Sequence, residues 1–144
     1  MERIIVSACL LGVESRYDGR AKANAAFIEG LKGRCVIPVC PEQLGGLPTP
    51  REAASFQGGD GEAVLRGEAR VVTAGGRDVT QAFLKGAREV LNLARLFSVK
   101  KACFKAKSPS CGCGKVYFGN ELREGVGVCT ALLQANGVEV IEVG

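Results

Sequence analysis

The stretch that decides the fold is Ile4-Ile5-Val6-Ser7-Ala8-Cys9-Leu10-Leu11-Gly12. Three β-branched residues bounded by polar ones read as a short buried strand, because branching at Cβ favours the pleated backbone. The strand runs into a tight loop carrying a cysteine. The same grammar recurs twice. Arg34 to Val39 reads as a second strand, cut short by Pro38 and Pro41, and runs into Cys40. Val99 to Phe104, extending at most to Ala106, reads as another strand and runs into Lys107-Ser108-Pro109-Ser110-Cys111-Gly112-Cys113-Gly114.

Helical patterns separate these units. Ala21 to Leu31 places Ala23, Phe27 and Leu31 on one face. Asp78 with Gln81 three residues later resembles a capping box. It opens a helix to about Phe97, with Val79, Phe83, Ala87, Val90, Leu91, Ala94 and Phe97 in helical period. Gly125 to Asn136 reads as a last helix, and Val138 to Val143 as a last strand. Ala69 to Thr73 reads as a short strand, Val116 to Phe118 as an arm of a small hairpin, and the Gly-rich Gln57 to Gly61 as an exposed loop. Arg16-Tyr17-Asp18-Gly19 is a turn, since Asp-Gly tolerates positive φ. Strands alternating with helices predict a three-layer α/β sandwich around a mainly parallel, Rossmann-like sheet. At 144 residues the chain reads as a single domain, 1–144, long enough to bury a core.

In such a sheet the loops after the Cys9, Cys40 and Cys111 strands share the carboxyl edge, where open α/β sheets bind ligands. Four of the chain's five prolines lie from Pro38 to Pro50, so the segment around Cys40 reads as a constrained loop rather than a linker.

Composition narrows the chemistry. The chain is 47% hydrophobic and 24% charged, as ordinary globular proteins are. No apolar run is long enough to span a bilayer, and Met1-Glu2-Arg3 leads directly into a strand, so a cytoplasmic location is expected. The net charge of +4 comes from scattered Lys and Arg, apart from Lys100, Lys101, Lys105 and Lys107; with 6% aromatics and no Trp, a dedicated nucleic-acid binder is not favoured. The chain contains no histidine, which excludes Cys-His zinc fingers and Ser-His or Cys-His catalytic pairs. Seven cysteines in a cytoplasmic chain do not suggest a disulfide framework. Cys35, Cys103 and Cys129 lie in apolar runs and read as small buried hydrophobes.

Cys9, Cys40 and Cys111 sit in Gly-, Pro- and Ser-rich loops. Three converging thiolates suit an iron–sulfur cluster, and three rather than four would leave one iron without a protein ligand. Spacing alone leaves other readings open. These are a zinc site, with Cys113 as a fourth ligand; thiol-redox or persulfide chemistry at Cys111 near Lys105 and Lys107; or three ordinary loop cysteines. Glu42 reads either as an acidic residue in the first turn of a short helix or as a general base. Ser108 reads either as a turn hydroxyl or as a proton relay.

These loops resemble a known family. Ser7-Ala8-Cys9-Leu10-Leu11-Gly12 with Arg16-Tyr17-Asp18-Gly19 matches its opening motif, and Pro38-Val39-Cys40-Pro41-Glu42-Gln43-Leu44-Gly45-Gly46-Leu47-Pro48-Thr49-Pro50-Arg51 matches its second. Gly76-Arg77-Asp78-Val79-Thr80 and Ser108-Pro109-Ser110-Cys111-Gly112 match the rest. The family, long carried as domain of unknown function 523, includes the thiouracil desulfurases, also called desulfidases. The resemblance spans essentially the whole chain. It implies a [4Fe–4S] cluster held by Cys9, Cys40 and Cys111 with one iron lacking a protein ligand. It also implies removal of sulfur, as sulfide, from a small thiolated base or nucleoside such as 2-thiouracil, without redox change, assisted by Glu42 and Ser108. The alternatives are a cluster-free thiol-redox or sulfur-carrier protein and a zinc-stabilised binding module. The chain departs from its relatives at Ser15, where many carry a Cys; at Glu52-Ala53-Ala54-Ser55, where a Pro-rich segment is usual; and at Cys113, where a small polar residue is common.

Overall fold

The computed structural model describes residues 2–144; Met1, at which the expected cytoplasmic N-terminus begins, lies outside the described residues. Four parallel strands form the central sheet: β1 (Arg3–Ser7), β2 (Cys35–Val39), β5 (Lys101–Lys105) and β8 (Glu139–Val143), in the order β2-β1-β5-β8. The register aligns Val6 with Pro38 on one side and with Cys103 on the other. β1 is central and unbroken in its hydrophobicity, as a strand covered on both faces must be. Pro38 is tolerated because β2 is an edge strand, where a missing N–H costs no ladder bond.

The helices are α1 (Ala25–Gly30), α2 (Pro41–Leu44), α3 (Gly61–Leu65), α4 (Thr80–Leu96) and α5 (Val128–Ala135). On one face Ile5, Ala102 and Phe104 pack with Phe83, Ala87 and Val90 of α4 and with Cys129 and Leu133 of α5. On the other, Ile4, Val6 and Cys103 pack beneath Leu10 and Leu31, with Phe27 of α1 half-buried against them. The expected α/β sandwich is present, with one outer layer thinner than the other. Two antiparallel pairs complete the fold: β3 (Ala54–Gln57) with β4 (Arg70–Thr73), and β6 (Lys115–Phe118) with β7 (Glu121–Glu124). Among the described residues no helix is long and apolar enough to cross a membrane.

Several elements differ from the sequence reading, each for a local reason. The first helix starts at Ala25, not Ala21, because Asn24 caps it, its Oδ1 accepting the Phe27 N–H at 3.0 Å. Residues 22 and 24 instead donate to the Cys9 and Leu10 carbonyls. The capping box at Asp78 does not form: Asp78 Oδ1 accepts from the Thr80 N–H, Thr80 Oγ1 accepts from the Val71 N–H, and the helix begins without a side-chain cap. Phe97 leaves the apolar stripe and is 39% exposed, since Ser98 takes positive φ and ends the helix. Within the constrained loop, Pro41 starts the single turn α2, its fixed φ suiting the first helical position. Gln57 belongs to β3, and Gly61 is buried under α5 rather than exposed, because a Cβ there would overlap the Gly127 carbonyl. Cys103 and Cys129 are buried as expected, but Cys35 is exposed at the start of the edge strand.

Candidate metal centre and active site

Three loops leave the carboxyl edge of the sheet and are anchored in different ways. After β1, Ala8–Leu11 forms a 3₁₀ turn that carries Cys9 and is closed by Gly12 at φ 97°, a left-handed conformation that glycine adopts freely. After β2, Cys40 is the residue preceding α2, and Pro41 succeeds it as the first helical residue. After β5, Lys107 turns the chain at φ 69°. Ser108 Oγ then accepts the N–H groups of Ser110 and Cys111, each at 3.1 Å. The N-terminus of α5 completes that loop. The Val128 N–H donates to the Pro109 carbonyl, those of Cys129 and Thr130 donate to Ser110, and Thr130 Oγ1 donates to the Cys111 carbonyl at 2.9 Å. Orphan helix donors thus fasten the Ser-Pro-Ser-Cys segment in place.

Cys9, Cys40, Cys111, Glu42 and Ser108 all line one cavity of about 950 Å³. Its floor is the carboxyl edge of the sheet, and its far wall is made by β3 and the β6–β7 hairpin tip. The segment Ala53-Ala54-Ser55 lies in that wall, as do Tyr117 and Asn120. The wall is tied together by the Gly119 N–H donating to Ser55 Oγ at 3.0 Å and by Phe56 against Phe118. Lys105 and Lys107 reach the cavity, whereas Lys100 and Lys101 of the same basic group do not.

Cys40 lies close enough to act on both of the other thiols. Burial pushes the Cys9 thiol up, and a negative Cys40 pushes it further. Burial pushes Cys111 well up, with Cys129, Cys40 and Glu42 acting in the same direction. Burial pulls the Lys105 ammonium down, while Cys9 opposes that pull. Without a cation Cys9 and Cys111 hold their protons, which is the reverse of what a thiolate nucleophile needs. Neither Lys105 nor Lys107 is among the groups that act on the Cys111 thiol, so the alternative of an activated Cys111 gains no support from its surroundings. A soft cation deprotonates such ligands on binding.

Among the described residues, no three Cys, Asp or Glu side chains gather closely enough to hold a single metal ion. One tetrahedral zinc would draw its sulfurs to within about 3.8 Å of one another. A cubane, with iron and sulfide between its ligands, bridges a wider gap, and three soft donors on a roomy cavity floor suit it. Cys113 is not part of this set. It faces away from the cavity, its Sγ donating to the Val140 carbonyl at 3.6 Å and accepting from Gln134 Nε2 at 3.6 Å. Cys113, the fourth ligand of the alternative zinc reading, lies between α5 and β8.

Glu42 occupies the first turn of α2, and its side chain is 13% exposed. Arg51 Nε donates to Oε1 at 2.9 Å, and Ser110 Oγ donates to Oε2 at 3.4 Å. Ser108 has used its oxygen as an acceptor twice, so its own O–H remains a donor. Arg51 and Ser110 were not singled out from the sequence. Their signal was their place in the motifs, five residues after Gly46 and one before Cys111.

A family model described as 2-thiouracil desulfurase matches residues 4–143. The chain is 42% identical over 141 residues to the uncharacterized protein YbbK of Bacillus subtilis (strain 168), covering 96% of this chain and 93% of that one. It also resembles the solved structure of the [4Fe-4S]-dependent thiouracil desulfidase TudS (DUF523Vcz), with a TM-score of 0.84 and 42% identity, covering 99% of this chain and 91% of that one.

Proposed function

The chain belongs to the 2-thiouracil desulfurase family, and on that premise we propose that it is an iron–sulfur enzyme replacing the sulfur of a small thiolated base, such as 2-thiouracil, with oxygen from water. The whole chain works as one unit, in the cytoplasm, on a small molecule. Cys9, Cys40 and Cys111 hold a [4Fe–4S] cluster with one iron lacking a protein ligand. The single observation that carries the reading is that these three thiols share one cavity with Glu42 and Ser108.

The cluster, when bound, supplies a soft Lewis acid for the thione sulfur. Everything else falls to the chain. The cavity wall of β3 and the hairpin tip holds the flat ring over the sheet edge. Glu42, anchored through both oxygens, keeps lone pairs free to take a proton from the attacking water. The Ser108 O–H, fixed by two backbone donors to its oxygen, gives a proton on the sulfur side. The balance is one water consumed, C=S exchanged for C=O, and hydrogen sulfide released, with no electron gained or lost.

Anaerobically reconstituted protein is expected to convert 2-thiouracil to uracil with one sulfide released per turnover. A cluster-loaded protein that releases no sulfide from any thiolated pyrimidine base or nucleoside would sink the reading.

A further inference from the structure

Arg51 is almost fully enclosed, its side chain 6% exposed, yet every nitrogen of its guanidinium has a partner. Nε donates to Glu42 Oε1 at 2.9 Å. Nη1 donates to the Pro48 carbonyl at 3.1 Å and to Thr49 Oγ1 at 2.9 Å. Nη2 donates to the Ser15 carbonyl at 3.0 Å and lies 3.8 Å from Cys40 Sγ. Thr49 Oγ1 is braced in turn by Gln43 Nε2 at 2.8 Å, and the Arg51 N–H donates to the Tyr17 carbonyl at 2.7 Å. One planar fork therefore joins the Ser15 carbonyl, the Cys40 sulfur and the Glu42 carboxylate, while the Arg51 main chain holds the neighbouring Arg-Tyr-Asp-Gly turn.

We propose that Arg51 is a positioning residue for the desulfuration: it locks the Glu42 carboxylate and the Cys40 sulfur into one rigid unit. The inference rests on the assignment of Glu42 as the base. A carboxylate on a one-turn helix has free rotamers, and small errors in placing a base cost rate steeply. Arg51 removes that freedom by fixing Oε1 while Ser110 fixes Oε2. Its Nη2–H groups also draw electron density from the Cys40 sulfur, and hydrogen bonds to ligand sulfurs raise a cluster's reduction potential. Lysine keeps the charge but cannot reproduce a fork of five N–H donors, so Arg51→Lys separates geometry from charge.

The test uses cluster-loaded protein with 2-thiouracil. In Arg51→Lys, iron content stays near wild type, KM stays within about threefold, and kcat per cluster falls at least about tenfold, the pattern of lost positioning. The reduction potential followed by electron paramagnetic resonance moves down, a change that loosened packing away from Cys40 does not produce. Wild-type kcat per cluster and an unshifted potential in Arg51→Lys overturn the inference. If Arg51→Lys fails to retain iron, Thr49→Val takes its place: it leaves Arg51 intact but removes one Nη1 acceptor, and kcat should fall about threefold or more at unchanged KM. Full kcat in Thr49→Val then overturns the inference. Glu42→Gln is measured alongside. If it is inactive while Arg51→Lys is fully active, only the role of Arg51 fails; if it is itself fully active, the assignment of the base fails first.

Discussion

Glu42 and Ser108 are held in different ways, so their variants should fail differently. Glu42, the proposed base, has its backbone position secured by α2. Glu42→Gln keeps the shape and is expected to retain iron while kcat falls by at least about 100-fold, the usual scale of a lost general base. Ser108 lines the cavity, where its O–H is the proposed proton donor, and its oxygen accepts from two backbone N–H groups, one of them on Cys111. Ser108→Ala should therefore lower both kcat and iron occupancy, and destabilise the metal-free protein by about 1–3 kcal/mol for the donors left without a partner. Iron analysis and urea unfolding on the same preparations check both expectations; a Ser108→Ala protein that is inactive yet fully loaded and fully stable would assign the residue to chemistry alone. At this scale the sequence set Cys9, Cys40 and Cys111, in loops that follow strands, apart from the cysteines inside apolar runs, and all three line one cavity. Beyond its place in a motif it did not reveal Arg51, since an arginine's partners depend on how separate loops meet.

Among the elements, α2 is the most sensitive, because it carries Glu42 on one turn and comes directly after Cys40. It rests on α4 through two glycines. A Cβ on Gly86 would overlap the Pro41 carbonyl oxygen, and one on Gly45 would overlap the carbonyl oxygen of Ala82. Gly86→Ala must push α2 away and is expected to cost about 1–3 kcal/mol or more, as overpacking does, with a matching loss of iron affinity. Gly30, also helical, meets nothing within 4 Å. Gly30→Ala should stabilise by about 0.4–1 kcal/mol, through the reduced freedom of the unfolded chain. Thermal or urea unfolding of the pair gives opposite signs if the contact is as described, and equal small effects if it is not. The strands and the long helix α4 were legible because their periods are strong. β3 and α3 were not. Ala54–Gln57 has one buried apolar side chain, Phe56, and α3 is announced only by its Asp60 cap, so tertiary packing rather than pattern decides both.

For the molecule as a whole, parallel strand order did more than any motif. Once β2, β1 and β5 lie side by side, loops distant in sequence open on the same edge, and that convergence was legible from strand–loop grammar alone. The shape of the far wall was not, since it depends on two small antiparallel pairs meeting across the cavity. The concentration of buried thiols also makes the metal-free protein sensitive to pH. Cys9, Cys103, Cys111 and Cys129 are all pushed above their ordinary value of 9.0 by burial. Groups raised in the folded state contribute stability that is present below the unfolded value and lost as pH rises past it. Each thiol kept protonated should thus remove about 1.4 kcal/mol per pH unit above about pH 9. Lys105, lowered from 10.5 by burial, acts in the opposite direction as pH approaches 10.5. Four thiols outweigh one lysine, so reduced metal-free protein should lose stability between about pH 8.5 and about pH 10 in urea titrations; a flat or rising profile would mean that these thiols are not held in a dry interior.

The central claim is that Cys9, Cys40 and Cys111, and no fourth cysteine, hold the cluster. Iron and acid-labile sulfide are to be measured per chain after anaerobic reconstitution of the wild type and of Cys9→Ser, Cys40→Ser, Cys111→Ser and Cys113→Ser. The predicted result is about four iron and four sulfide in the wild type and in Cys113→Ser, with background values in each of the other three. A full cluster in any one of those three variants, or its loss in Cys113→Ser, would contradict the account.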